Sequence, residues 1–337
     1  MAEIIKPFPK LRNITPVPIP FNEVPFLLTA NIYALGHENI TLIDAGPGIP
    51  GALDFIKDSF NREGLKFNNI SRILLTHGHM DHFGLAASII KDLDHPVEIF
   101  IHPECKWKIS SEFFKNEIWM DEFKWLQKQA GIPDDDFYVM KKNIRKYYSI
   151  AKPLDDLKTM EDNDIFYGDG YILQAVYSPG HDPGLCCLYE PEQEVLFSSD
   201  HILKNITPKP ILPLSRNRLI NKDYKGLIAY ENSLDRVSKL NAKYVFPGHG
   251  EWIEDIHPVI DQYRLLYSER RELIWNAVRK KELPVYHLVN DVFPNAEKGD
   301  LFIALSEIIS QLEVLVYLNR VEIKDPGPPV IYSVVNN

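Results

Sequence analysis

Residues 76–82 read Thr76-His77-Gly78-His79-Met80-Asp81-His82, three imidazoles and a carboxylate within seven positions. Before them Ile73-Leu74-Leu75 is an apolar run of the kind that forms a short buried strand. After them Gly84 to Ile90 begins a helix that runs to about Leu93. In an extended segment, residues two apart point the same way, so His77 and His79 can grip one ion together. Asp81 and His82 fall where strand gives way to helix and can face a second ion close by. Imidazole nitrogens with a carboxylate suit zinc, and also iron or manganese. The run therefore demands a strand that delivers into a turn and then a helix.

The flanking chain supplies that setting. Ile14 to Pro20 is apolar and proline-broken, as an edge strand is. Phe26 to Ala34 and Ile40 to Ile43 read as strands joined around Gly36-His37-Glu38-Asn39, the second aiming Asp44 into a glycine-rich turn. Pro50 to Phe60 is an amphipathic helix, and Val97 to Ile101 is a further strand. Residues 104–156 break this rhythm with an aromatic-rich, helical stretch read as an insertion that walls or lids the site. Strands resume at Tyr171 to Tyr177, Leu185 to Tyr189, Val195 to Ser198 and Tyr244 to Phe246. Three of these end in histidine or aspartate: Gly180-His181, Ser199-Asp200 and Gly248-His249. The two halves look like a loose repeat, two sheets meeting where ligand-bearing strand ends converge, with helices on the outside.

The tail differs. Pro258 to Lys281, Val285 to Phe293 and Asp300 to Leu318 read as helices, and Val321 to Val334 as a hairpin, a small winged-helix-like domain over 258–337 after a main domain over 1–257. Lys and Arg do not outnumber acids there, and the chain carries a formal charge of −10. Packing against the main domain or a second copy of the chain is therefore expected rather than nucleic-acid binding. No stretch reaches the roughly 18 apolar residues of a membrane span. Cys105, Cys186 and Cys187 are too few for a disulfide framework and point to a cytoplasmic home.

Taken in order, Asp44, the 77–82 run, His181, Asp200 and His249 resemble the five motifs of the metallo-β-lactamase superfamily of metallohydrolases. The likeness covers roughly residues 13–255. Within the superfamily the chain resembles the glyoxalase-II-like and β-lactamase-like-protein-2 group, which also ends in a helical or winged-helix tail. The resemblance implies an α/β fold, the αββα sandwich. It implies that His77, His79 and His181 hold a first ion, that Asp81, His82 and His249 hold a second, and that Asp200 bridges them. Asp44 is similar to the acid behind a ligand histidine that orients it. Asn31 and Tyr33 resemble a family Asn-x-Tyr in an early strand near the site. Asp182, Ser199 and Gly84-Leu85-Ala86 depart from the usual Thr or Ser, Gly, and Gly-Gly. His37, His102, His201, His257 and His287 are read as structural or surface residues, although His201 adjoins Asp200.

A water held between two divalent ions ionises near neutral pH, and the ions polarise the bond to be cleaved; Asp81 can hold that water or move its proton. The expected protein is a hydrolase with two Zn2+ per chain, Mn2+ or Fe being alternatives, acting on a small-molecule carbonyl ester, thioester or lactone. A phosphodiesterase or single-strand ribonuclease is the alternative of the same superfamily. Its basic and aromatic groove would draw on Lys141, Lys142, Arg145, Lys146, Tyr147 and Tyr148. An iron-dependent persulfide dioxygenase and a non-catalytic metal-binding protein are the remaining readings.

Overall fold

Six strands form the first sheet of the computed structural model, which describes residues 6–21, 27–115, 118–213 and 219–335. Phe26, the expected head of one strand, and residues 1–5 lie outside the described residues. The strands are β1 (Ile14–Pro20), β2 (Thr29–Leu35), β3 (Ile40–Ile43), β4 (Ile70–Leu74), β5 (Glu98–Ile101) and β6 (Lys158–Thr159), side by side in that order. The first three are antiparallel and the rest parallel. A second sheet holds β7 (Ile165–Gly168), β8 (Tyr171–Tyr177), β9 (Cys186–Glu190), β10 (Val195–Ser199) and β11 (Tyr244–Pro247), with β10 and β11 parallel.

Alternation along the strands builds the layers. On β2, Ala30, Ile32 and Ala34 pack outward with Ile56 and Phe60 of α1 (Ala52–Arg62) and Ile89 of α3 (Ala86–Asp92), whereas Tyr33 and Leu35 face Leu173, Leu188, Phe197 and Phe246 of the second sheet. The outer face of that sheet carries α8 (Gly226–Val237) and the first half of α9 (Ile256–Lys280), through Leu227, Tyr230, Ile260, Tyr263 and Tyr267. This is the expected αββα order. The helix expected from Gly84 to Leu93 is α3, and a separate short helix, α2 (Met80–Phe83), precedes it within the ligand run. The break between them falls at Gly84, where a Cβ would sit 2.3 Å from the carbonyl oxygen of Ile150, and Ile150 also accepts the Gly48 N–H at 2.8 Å. The end of the insertion is thereby seated against the backbone beside the ligand run.

The insertion holds α4 (Pro103–Lys106), α5 (Ser111–Lys115), α6 (Ile118–Ala130) and α7 (Asp134–Tyr148), and the tail holds α9, α10 (Val289–Val292), α11 (Leu301–Tyr317) and the hairpin β12 (Val321–Asp325) and β13 (Ile331–Val334). The two regions share one apolar cluster, in which Trp119, Phe123 and Met140 meet Ile274, Leu305 and Leu312. No helix among the described residues is long and apolar enough to cross a membrane.

Candidate metal centre

The candidate ligands follow strand ends: His77 and His79 come after β4 with Asp81 and His82 in α2 beyond them, His181 follows β8, Asp200 follows β10 and His249 follows β11. Parallel pairing of β3 and β4 puts Asp44 beside Thr76, whose N–H and hydroxyl both donate to the Asp44 carboxylate at 2.8–3.0 Å. That contact fixes where the chain leaves β4, and therefore where His77 points. The carbonyl of Thr76 accepts the N–H of Cys186 on the second sheet, tying the ligand run to the facing layer. Asp44 and Ser199 hold left-handed backbone, φ 59° and 48°, a conformation that costs a residue with a Cβ on the order of 1 kcal/mol. Each then spends its side chain on the site. Ser199 Oγ lies 2.7 Å from Thr76 Oγ1 and 3.4 Å from His77 Nδ1.

The structure brings all seven candidate ligands together, as His77, His79, His181 and Asp200 in one group and Asp81, His82 and His249 in an adjoining one. His79 Nδ1 lies 3.0 Å from both His77 Nε2 and His181 Nε2, so those three nitrogens face one point. Asp200 spans the two groups, with Oδ2 3.4 Å from His181 Nε2 and Oδ1 3.4 Å from both His82 Nε2 and His249 Nε2. Asp81 Oδ2 is 3.4 Å from His249 Nε2. The mouth opens over the first group: His79 keeps 18% and His181 11% of their side-chain surface, against 2% for His82 and 1% for His249.

The outward nitrogens are held as metal-ligating histidines require. His82 Nδ1 lies 2.8 Å from Asp44 Oδ2, His249 Nδ1 2.7 Å from the Thr29 carbonyl, and His181 Nδ1 2.9 Å from the Lys209 carbonyl. His77 Nδ1 has the Thr76 hydroxyl at 3.1 Å. The inward atoms are not satisfied. His82 Nε2, His249 Nε2 and Asp200 Oδ1 are buried and make no hydrogen bond with the described residues, an expense that a shared cation would remove. Gly248 borders the same gap, where a Cβ would sit 2.5 Å from Asp200 Oδ1 and 2.7 Å from the His82 ring. The donor set fits divalent ions that favour nitrogen and oxygen.

Burial lowers the pKa of His77, His79 and His181 below the usual imidazole range. It opposes charge on His82 and His249 too, but nearby carboxylates outweigh it. Asp200 and Asp44 hold His82 well up, and Asp200 and Asp81 hold His249 at about 10. The carboxylates respond in kind: burial would raise Asp81 and Asp200, yet His249 and His82 hold both below their ordinary range.

Asn31 and Tyr33 act on the site through the backbone. Asn31 Nδ2 donates to the carbonyls of Pro247 and Gly250, and the Tyr33 hydroxyl donates to Pro247 at 2.6 Å, shaping the turn that carries His249. His201 belongs to neither group and is fully buried, its ring edge-on to Tyr230. His37, His257 and His287 are exposed. In the basic run of α7, Tyr148 stacks on Trp119 inside the insertion at 4.8 Å, and the Tyr147 hydroxyl donates to Asp81 Oδ1 at 2.8 Å. Sequence reasoning missed that role of Tyr147, and it missed Lys108, whose ammonium meets Asp182 beside His79. The unusual acid after His181 was the available signal for the latter.

The sequence profile of the metallo-β-lactamase superfamily matches residues 26–249. The chain is 27% identical over 289 residues to the probable metallo-hydrolase YqjP of Bacillus subtilis, an alignment covering 84% of this chain and 86% of that protein. It is 24% identical over 282 residues to the atrochrysone carboxyl ACP thioesterase of Aspergillus chevalieri, covering 82% and 70%. The fold is similar to the crystal structure of a metallo-β-lactamase family protein from Thermus thermophilus, with TM-score 0.78, 24% identity, and 96% and 98% of the two chains covered.

Proposed function

The chain belongs to the metallo-β-lactamase superfamily of metal-dependent hydrolases, and from that premise we propose that it is a cytoplasmic dinuclear zinc enzyme cleaving a carbonyl ester, thioester or lactone of a small molecule. One observation carries the reading: Asp200 of the first histidine-rich group also lies 3.4 Å from His82 Nε2 and His249 Nε2 of the second, and His82 Nε2, His249 Nε2 and Asp200 Oδ1 have no hydrogen-bond partner among the described residues. In this reading His77, His79, His181 and Asp200 hold the first ion, and Asp81, His82, His249 and Asp200 the second. Bound there, the pair of ions supplies an acidified water and a polarised carbonyl. The protein's own groups do the rest. Asp44, the Thr29 carbonyl and the Lys209 carbonyl fix the imidazoles, and Asp81 would hold the attacking water or move its proton to the leaving oxygen or sulfur. The aromatic insertion and the tail wall the substrate pocket. The thioester member of the substrate class is favoured by the likeness to the Aspergillus thioesterase. The buried, unpaired state of all three cysteines agrees with a reducing compartment.

Metal analysis of the purified protein tests the centre: two zinc ions per chain are expected, and His79→Ala should lose metal and activity together. A single iron per chain would sink the dinuclear reading. A panel of thioester, lactone, bis(p-nitrophenyl) phosphate and short RNA then tests the substrate class. Turnover of the last two but not the first two would turn the assignment to a phosphodiesterase.

A further inference from the structure

His79 differs from the other candidate ligands of the first ion in what stands behind it. His77 has hydroxyls behind it and His181 a backbone carbonyl, both neutral. His79 faces the gap with Nδ1, and its Nε2, on the far side of the ring, lies 3.6 Å from Asp182 Oδ2. That distance is just beyond a direct hydrogen bond, yet the acid is built in. The Asp182 side chain is 1% exposed, its Oδ1 accepts the Gly184 N–H at 2.8 Å and the Cys105 thiol at 3.2 Å, and its Oδ2 meets the Lys108 ammonium. A buried carboxylate lacking a counter-charge is costly, and here the insertion supplies one. Lys108 follows α4 in the insertion and crosses directly over Gly78, where a Cβ would lie 2.4 Å from its Cε. Gly78 thus leaves the passage by which the insertion reaches the back of the ligand run.

We propose that Asp182 is a positioning residue for His79, and that Lys108 is its counter-charge, so that docking of the insertion sets the affinity of the first ion. The pair then mirrors Asp44 behind His82, giving each ion one histidine backed by a carboxylate. A carboxylate there fixes the ring with Nε2 protonated and Nδ1 free to ligate, and makes that nitrogen a stronger donor. The inference rests on the dinuclear reading above.

The test is stepwise zinc affinity measured by chelator competition on the full chain, for the wild type, D182N, K108M and the double variant. His181→Ala and His249→Ala identify which step belongs to which group. D182N keeps the side chain's shape and an acceptor for Gly184, and should weaken the first ion roughly 10–100-fold while moving the second by less than about threefold. K108M and D182N should be coupled, the double variant losing clearly less than the two single losses combined, because it removes the buried unpaired charge. Nitrogen-15 NMR of the zinc-loaded wild type supplies a readout that requires no variant to fold. The Nε2–H of His79 should appear as a slowly exchanging signal, and a signal lost to exchange as an exposed imidazole would overturn the proposal. Equal weakening of both ions by D182N, unchanged affinities, or additive losses would also overturn it. A wild type that takes up no zinc would instead overturn the dinuclear reading.

Discussion

Tyr147→Phe removes one oxygen from the wall of the site and should be felt by the second ion alone. The Tyr147 hydroxyl donates to Asp81 Oδ1 at 2.8 Å, while Oδ2 of the same carboxylate faces His249. Burial and the neighbouring Asp81 charge push the phenol well above its ordinary pKa, so it remains a protonated donor across the working range. A hydrogen bond to a charged group contributes about 1.5–3 kcal/mol. Loss of an outer hydrogen bond to a metal ligand lowers affinity about 10–100-fold, which is about 1.4–2.7 kcal/mol. The two scales agree, so the second dissociation constant should rise by one to two orders of magnitude. The phenyl ring keeps its packing, so the first ion should change by less than about threefold. Chelator competition with zinc, read beside His249→Ala to mark the second step, is the assay. Equal weakening of both ions would mean that Tyr147 matters only by seating the insertion. An unchanged second constant would mean that Asp81 is held well enough by His249 and the ion.

Gly248→Ala should keep the fold but lose most bound metal, since the added methyl would enter the gap beside Asp200 Oδ1; two zinc ions retained in elemental analysis would refute this. Burial pushes His102 down to about 4 from 6.5. His102 caps α4 by accepting the Glu104 N–H through Nδ1 and stacks on Tyr177. Its neutral form is the one that the fold favours, so its contribution is complete above about pH 6.5 and is lost as pH falls toward 4, by on the order of 3 kcal/mol. Urea unfolding at pH 7 and pH 4.5 should therefore show a smaller pH-dependent loss for His102→Asn than for the wild type, and equal losses would contradict the assignment. Trp119→Ala removes a 5% exposed ring that stacks on Tyr148 and should cost about 3–5 kcal/mol, read as a lower urea midpoint.

What the sequence made legible was the chemistry carried by side chains at strand ends. Only the 77–82 run stands out by itself; Asp44, His181, Asp200 and His249 are each ordinary turn or cap residues when read alone and gain meaning from their joint order at the ends of apolar strands, and the structure brings them to one place. Apolar runs bounded by turn residues likewise made most strands of both sheets readable, and once β2 is paired Tyr33 and Leu35 face one way and Ile32 and Ala34 the other. What stayed hidden has two physical causes. The first is that backbone carbonyls have no letter: Thr29 and Lys209 orient His249 and His181 through main-chain oxygens that any residue there would offer. The second is that a side chain's meaning depends on what folds over it. Tyr147 sits in a basic run and reads as a stacking residue of a nucleic-acid groove until α7 is laid across the site, which points its hydroxyl at an aspartate 66 positions earlier. Lys108 reads as one lysine among several in an aromatic stretch until it is seen crossing Gly78 to reach Asp182. Both belong to the insertion, whose helices pack by an aromatic core shared with the tail. Their periodicity reports that packing and says nothing of the few polar atoms left to face the metal ligands.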